Sequence, residues 1–100
     1  PVVFIPGFGA TWSTSIITGD TNTSYSDWSL VPIFGNKFYG PLFGSLENAG
    51  LIKDQTYFIF GYDFRKSVQT SASWLNDFLE NEVLLRNPGK KINIASHSMG

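Results

Sequence analysis

A layered α/β fold, with a parallel sheet between helices in three α/β/α layers, is the architecture that three features of the sequence predict. Three short apolar runs read as strands, and two amphipathic stretches between them read as helices. Two of the strand runs, Val2 to Ile5 and Thr56 to Phe60, are apolar without alternation, as strands covered on both faces are. The order strand, helix, strand, helix, strand then argues for parallel strands joined by right-handed crossovers.

Val2-Val3-Phe4-Ile5 is β-branched and aromatic and is ended by Pro6-Gly7, which makes it the first strand. A helix is expected from about Tyr39 to Asn48, where Leu42, Leu46 and Ala49 recur at helical spacing, Pro41 fits the first turn and Ala49-Gly50 supplies the stop. Thr56-Tyr57-Phe58-Ile59-Phe60 is the second strand and stops at Gly61. The second helix, from about Ser67 to Arg86, carries an apolar stripe of Leu75, Phe78, Leu79 and Val83, with Asn76, Asp77, Glu80 and Asn81 facing away. Asn87-Pro88-Gly89 ends it, and Lys91-Ile92-Asn93-Ile94-Ala95 forms a third buried strand running into Ser96-His97-Ser98.

Residues 10–37 are rich in Thr, Ser, Asp and Gly, are punctuated by Trp12, Trp28, Leu30, Val31, Ile33 and Phe34, and show no periodicity. A connection this long is uncommon inside a compact domain unless it is functional, and it leaves the carboxyl end of a strand, where α/β folds place ligands. It reads as a lid or active-site-covering segment, with Trp12 and Trp28 as substrate-binding candidates; an ordinary surface excursion anchored by aromatics is the alternative.

Composition narrows the function classes. With 7 Lys+Arg against 8 Asp+Glu among 100 residues and no basic run, there is no electrostatic footprint for nucleic acid. Nine Phe, four Tyr and three Trp supply apolar contact area suited to a core or an apolar ligand. The chain has no Cys and one His, which leaves neither thiolate catalysis nor a transition-metal site to expect. No apolar run approaches the ~20 residues of a membrane span. A start on Pro1-Val2-Val3-Phe4-Ile5, with neither a methionine nor a polar lead, is expected to be a cut through a longer protein, any targeting segment lying upstream. Compartment and oligomeric state stay open. Asn22-Thr23-Ser24 has the form of a glycosylation sequon, which carries meaning only in a secretory context.

Ser96-His97-Ser98-Met99-Gly100 departs at one position from the nucleophile-elbow pattern Gly-x-Ser-x-Gly, with Ser96 in the first glycine's place. Small residues are needed two before and two after the nucleophile because the strand turns sharply into a helix there. At such a turn the Ser98 hydroxyl projects from the carboxyl edge of the sheet, and the Met99 backbone N–H points at a developing oxyanion. Pro6-Gly7-Phe8-Gly9-Ala10 stands where a second oxyanion donor is required, and the Phe8 amide is its candidate. The competing reading, a phosphate-cradling loop, fails on spacing, since Gly7-x-Gly9 is followed by Trp12 and no Gly-Lys-Ser/Thr occurs. No cofactor is expected. His97 is a poor base for Ser98, because neighbouring residues at an elbow send their side chains in different directions. Gly61-Tyr62-Asp63-Phe64-Arg65 follows the second strand, and three readings of it stay open: a site for a polar substrate group, a triad acid at Asp63, or a structural ion pair.

Pro1 to Gly9, Gly61-Tyr62-Asp63-Phe64-Arg65 and Ser96-His97-Ser98-Met99-Gly100, in this order and at these distances, resemble the lecithin:cholesterol acyltransferase family. That family shows a Pro-Val-Val-x-Val-Pro-Gly start, a Tyr-Asp-Trp-Arg block and a Gly-His-Ser-Met/Leu-Gly elbow; here Phe64 replaces the Trp and Ser96 the first elbow Gly. The resemblance implies the amino-terminal part of an α/β-hydrolase domain over residues 1–100. It also implies an acyl-serine mechanism and lipid-like ester substrates, with the acyl group passed to water or to another alcohol. Carried over by position, Ser98 is the nucleophile, Phe8 and Met99 give the oxyanion amides, and the segment with Trp12 and Trp28 falls where the family has its lid-like region. The family's acid and histidine come well after the elbow, beyond Gly100, so these 100 residues by themselves are expected to be catalytically incompetent and poorly stable. A lipid or small ester is the expected partner, with transient contact at a membrane or lipid surface left open. A non-catalytic relative that uses the pocket to bind an apolar ligand or a protein partner is the rival reading, which an Asp or Glu followed by a late His downstream decides against.

Overall fold

The computed structural model describes residues 1–7, 10–13, 15–19, 24–30 and 34–97. Along the chain come strand β1 (Val2–Ile5), strand β2 (Thr11–Trp12), a one-turn helix α1 (Ser15–Thr18), a 3₁₀ turn (Tyr25–Asp27) and strand β3 (Ser29–Leu30). Helix α2 (Phe34–Asn48), strand β4 (Tyr57–Ile59), helix α3 (Val68–Phe78), a π turn (Leu79–Val83), helix α4 (Leu84–Arg86) and strand β5 (Asn93–Ser96) follow.

The first strand becomes the middle of the sheet. The order is β4-β1-β5, all parallel, with Val2 opposite Tyr57 on one side and opposite Asn93 on the other. Because side chains alternate across a strand, β1 and β4 each feed two cores. Val3 and Phe58 point to the face covered by Phe78 and Val83, while Phe4 and Tyr57 point to the face covered by Tyr39 and Phe43 of α2. Helices on both faces of a parallel sheet are the predicted three-layer arrangement.

The helix boundaries show where the sequence reading was incomplete. Helix α2 starts at Phe34, inside the stretch read as a connection and five residues before the expected start, so Pro41 sits within it rather than in its first turn. The proline ring removes one backbone donor, a loss compatible with the helix because Tyr39 and Phe43 on either side are buried in the core. Its end is as expected: Gly50, at φ +93, donates to Glu47 C=O and Leu51 donates to Leu46 C=O, the paired bonds of a Schellman stop. Ser67 caps α3 by accepting the Thr70 N–H at 3.1 Å. The run to Arg86 is continuous but takes one π turn, which still brings Phe78 and Val83 into the core.

Two further expectations are corrected. Residues 10–30 are not wholly irregular: β2 and β3 pair antiparallel, Thr11 with Leu30 and Trp12 with Ser29. Strand β5 is not buried. All four of its residues are exposed, Ile94 by 53%, because β1 pairs with one of its edges and nothing among the described residues covers its faces.

Tyr57 ties the sheet to α2. Its hydroxyl donates to Glu47 Oε1 at 2.7 Å, and burial, followed by that bond and the Glu47 and Asp54 charges, pushes the phenol from 10.0 up to about 12. A raised native value means the contribution is fully present below pH 10.0 and is lost as pH rises through about 12. Tyr57→Phe is therefore expected to lower stability by about 1 kcal/mol at pH 8 and to flatten the loss of stability above pH 10, as read by urea denaturation across that range. Parallel alkaline profiles for the two proteins would contradict this assignment.

Candidate active site

Because the three strands are parallel, their carboxyl ends share one edge, and the segments leaving them are neighbours: Pro6-Gly7 after β1, Gly61 to Arg65 after β4, and His97 after β5. His97 continues the ladder, donating its backbone N–H to Ile5 C=O at 3.2 Å. Phe8, Ser98 and Met99, the residues assigned to the oxyanion amides and the nucleophile, lie outside the described residues.

What the structure describes is the frame on either side of them. The Tyr62 hydroxyl donates to Pro6 C=O at 2.9 Å, and burial, then the nearby Tyr39, raise the Tyr62 phenol above its ordinary value and keep it a neutral donor. Gly7 N–H donates to the Tyr39 hydroxyl at 3.0 Å, and Ala10 N–H to Gly7 C=O at 3.1 Å. The same Tyr39 oxygen stands 3.1 Å from His97 Nδ1. The imidazole packs beside the rings of Phe38 and Tyr39, at 5.6 and 5.7 Å between centroids, the two rings being 5.1 Å from each other.

Asp63 and Arg65 form the third part of the frame. Asp63, 1% exposed, receives the Arg65 backbone N–H and Nε on Oδ1, each at 2.9 Å, and Nη2 on Oδ2 at 3.0 Å. Arg65 Nη2 also reaches Ser15 Oγ at 3.3 Å, and its guanidinium lies 5.4 Å from the Trp28 ring centroid. Burial alone pushes the Asp63 carboxyl upward; the bonds from the Arg65 side chain and backbone, then the charges of Arg65 and Lys66, outweigh it and hold the carboxyl below its ordinary value. Of the three readings of this block, the geometry supports the structural ion pair: both carboxylate oxygens are occupied by a neighbour two residues away.

The pair anchors residues 10–30. Trp28 is 5% exposed, with its ring edge-on to Phe64 at 5.9 Å, whereas Trp12 is half-buried. Thr11 Oγ1 donates to Tyr62 C=O at 2.6 Å, and the Trp28 carbonyl lies directly over Gly61. Tyr39, Thr11 and Ser15 had no signal in the sequence, since their partners are set by the docking of distant segments. Among the described residues no cluster of His, Asp or Glu is placed to hold a metal ion, and no helix is long and apolar enough to cross a membrane.

A parallel sheet β4-β1-β5 flanked by helices, with β1 and β4 feeding a core on each face, is the arrangement of the amino-terminal part of an α/β-hydrolase. The family model for lecithin:cholesterol acyltransferase matches residues 20–100, and the chain belongs to that family. Comparison with curated proteins and with solved structures gives no match. Membership implies activity of the acyltransferase or lipase type on lipid esters.

Proposed function

We propose that the protein is a serine-dependent carboxylic ester hydrolase or O-acyltransferase in which Ser98 is the nucleophile and the Phe8 and Met99 backbone amides form the oxyanion hole. The Ser98 oxygen attacks the ester carbonyl carbon, the carbonyl oxygen takes up negative charge facing the two amides, and the alkoxide leaves with a proton to give an acyl-serine. Water or a second alcohol then attacks that intermediate and releases Ser98. The base and the acid that orients it belong to sequence after Gly100, and residues 1–100 are one part of a larger α/β-hydrolase domain. His97, the one histidine of the chain, has Nδ1 engaged with Tyr39. Residues 10–37 cover the site, with Trp12, the less buried of the two tryptophans, facing the acyl chain.

The observation that supports this reading best is the junction of Gly7 and His97 through one hydroxyl. The residue preceding the candidate loop donor and the residue preceding the candidate nucleophile are held at adjacent strand ends. In the intact protein, a fluorophosphonate probe is expected to label Ser98, and Ser98→Ala is expected to abolish labelling and lower ester turnover on the order of 10⁴-fold or more with the fold retained. A folded parent protein that takes no label would remove the proposal and favour a ligand-binding member of the fold, while a Ser98→Ala variant that still turns over ester would remove Ser98 as the nucleophile.

A further inference from the structure

We propose that Tyr39 is a positioning residue that locks the loop after β1 to the turn after β5 by fixing His97 in its Nε2–H tautomer. This inference rests on the reading of Phe8 and Met99 as the oxyanion amides, and it specifies how the two are kept in register.

The argument follows from proton bookkeeping at one buried oxygen. Tyr39 is 6% exposed, and its ring is gripped edge-on by Phe4 at 4.8 Å, so the hydroxyl has a fixed position at the end of β1. Gly7 N–H, 3.0 Å away, can only donate, so the Tyr39 oxygen accepts there. The hydroxyl's single proton is then free for the neighbour at 3.1 Å, His97 Nδ1. A ring nitrogen accepts only when it carries no proton, which places the imidazole proton on Nε2. The opposite arrangement, Nδ1–H donating into the hydroxyl, sets two donors on one oxygen and leaves the Tyr39 proton without an acceptor among the described residues. For a buried hydroxyl that arrangement is the less stable one.

The consequence reaches both halves of the candidate oxyanion hole. Gly7 is one residue before Phe8, and His97 is one residue before Ser98 and two before Met99. Their partners on Tyr39 lie 32 and 58 residues away in sequence, so no local turn chemistry holds the two segments together. A donor displaced by about 1 Å loses much of its transition-state bond, so a residue that touches neither substrate nor nucleophile can control the rate.

The test uses the intact protein with 15N-labelled histidine, the His97 signals being identified by their loss in His97→Asn. A pyridine-type Nδ1 and a pyrrole-type Nε2 are expected in the parent protein, with a shift toward mixed tautomers in Tyr39→Phe. The fluorophosphonate labelling rate and kcat are expected to fall about 10- to 100-fold in Tyr39→Phe while KM stays within about twofold. Phe43→Leu, which thins the same core without touching the hydroxyl, is expected to lower the melting midpoint and leave tautomer and labelling rate unchanged. A parent His97 protonated on Nδ1 overturns the proposal. So does a Tyr39→Phe variant with unaltered shifts and labelling, or a Phe43→Leu variant that reproduces its loss. If the nitrogen shifts respond as expected but neither protein takes the label, the bridge stands and the Ser98 reading is the one that fails.

Discussion

Replacing Gly61 by alanine is expected to lower stability by about 3 kcal/mol and to release residues 10–30 from the sheet, although only one methyl group is added. A Cβ at position 61 would lie 2.7 Å from the Trp28 carbonyl carbon, closer still to the Trp28 oxygen, and 3.1 Å from the Ser29 nitrogen. All three are backbone atoms, so no side-chain rotation relieves the overlap. The strand end has to retreat or the covering segment has to lift, and lifting it also breaks the bond from Thr11 to Tyr62 and uncovers Trp28. Urea denaturation gives the stability, and limited proteolysis between residues 10 and 30 gives the release. Gly44→Ala is the contrast: the position is inside α2, a Cβ there meets nothing within 4 Å, and the substitution is expected to stabilise by about 0.5 to 1 kcal/mol. Equal midpoints for Gly61→Ala and the parent protein would show that the Trp28 backbone does not rest on β4.

Gly61 also marks the boundary between what the sequence discloses and what it does not. It was legible as a strand stop, but nothing in a string of residues says that a carbonyl 33 positions earlier will lie on it. Strands β1 and β4 were legible because continuous β-branched and aromatic runs have few other uses, and the split of Val3 and Phe4 to two cores follows from the period of two. The stop at Gly50 was legible because its positive φ favours glycine. The start of α2 was not, since a proline at a helix's first turn and a proline inside a helix held by buried aromatics look alike locally. Strand β5 reads as a buried strand by its place after the second helix yet is exposed: Lys91, Asn93 and Ser96 interrupt the apolar residues of the run, and nothing among the described residues covers Ile94. At the site, the Asp63 and Arg65 spacing offered three readings that only the distances separated. Tyr39 offered none, because a tyrosine on a helix's apolar side reads as core until both partners of its hydroxyl are known.

Asp63→Ala is expected to be the other severe substitution, and its pH dependence separates a structural carboxylate from a reacting one. The Asp63 side chain is fully buried while that of Arg65 is 27% exposed, so removing Asp63 leaves a guanidinium that water can partly reach. Breaking a fully buried pair costs about 3 to 5 kcal/mol; with one partner exposed to this degree, solvent screening brings the expected loss to about 2 to 3 kcal/mol. Because the native carboxyl is held below the ordinary 3.8, its contribution is present above that pH and disappears as pH falls through the lowered native value. The parent protein should therefore lose stability below pH 3.8 more steeply than Asp63→Ala, the two curves converging as the carboxyl is protonated. Arg65→Ala should cost at least as much as Asp63→Ala, because it strands the fully buried carboxylate without its cation, and the double variant should cost little more than Asp63→Ala alone, since the two residues act through one contact. In the intact protein at neutral pH, variants that stay folded should keep fluorophosphonate labelling within a few-fold of the parent. A loss of labelling on the scale of a catalytic acid, about 10⁴-fold, with the fold intact would return Asp63 to the reaction and break the assignment of this pair to anchoring the segment above it.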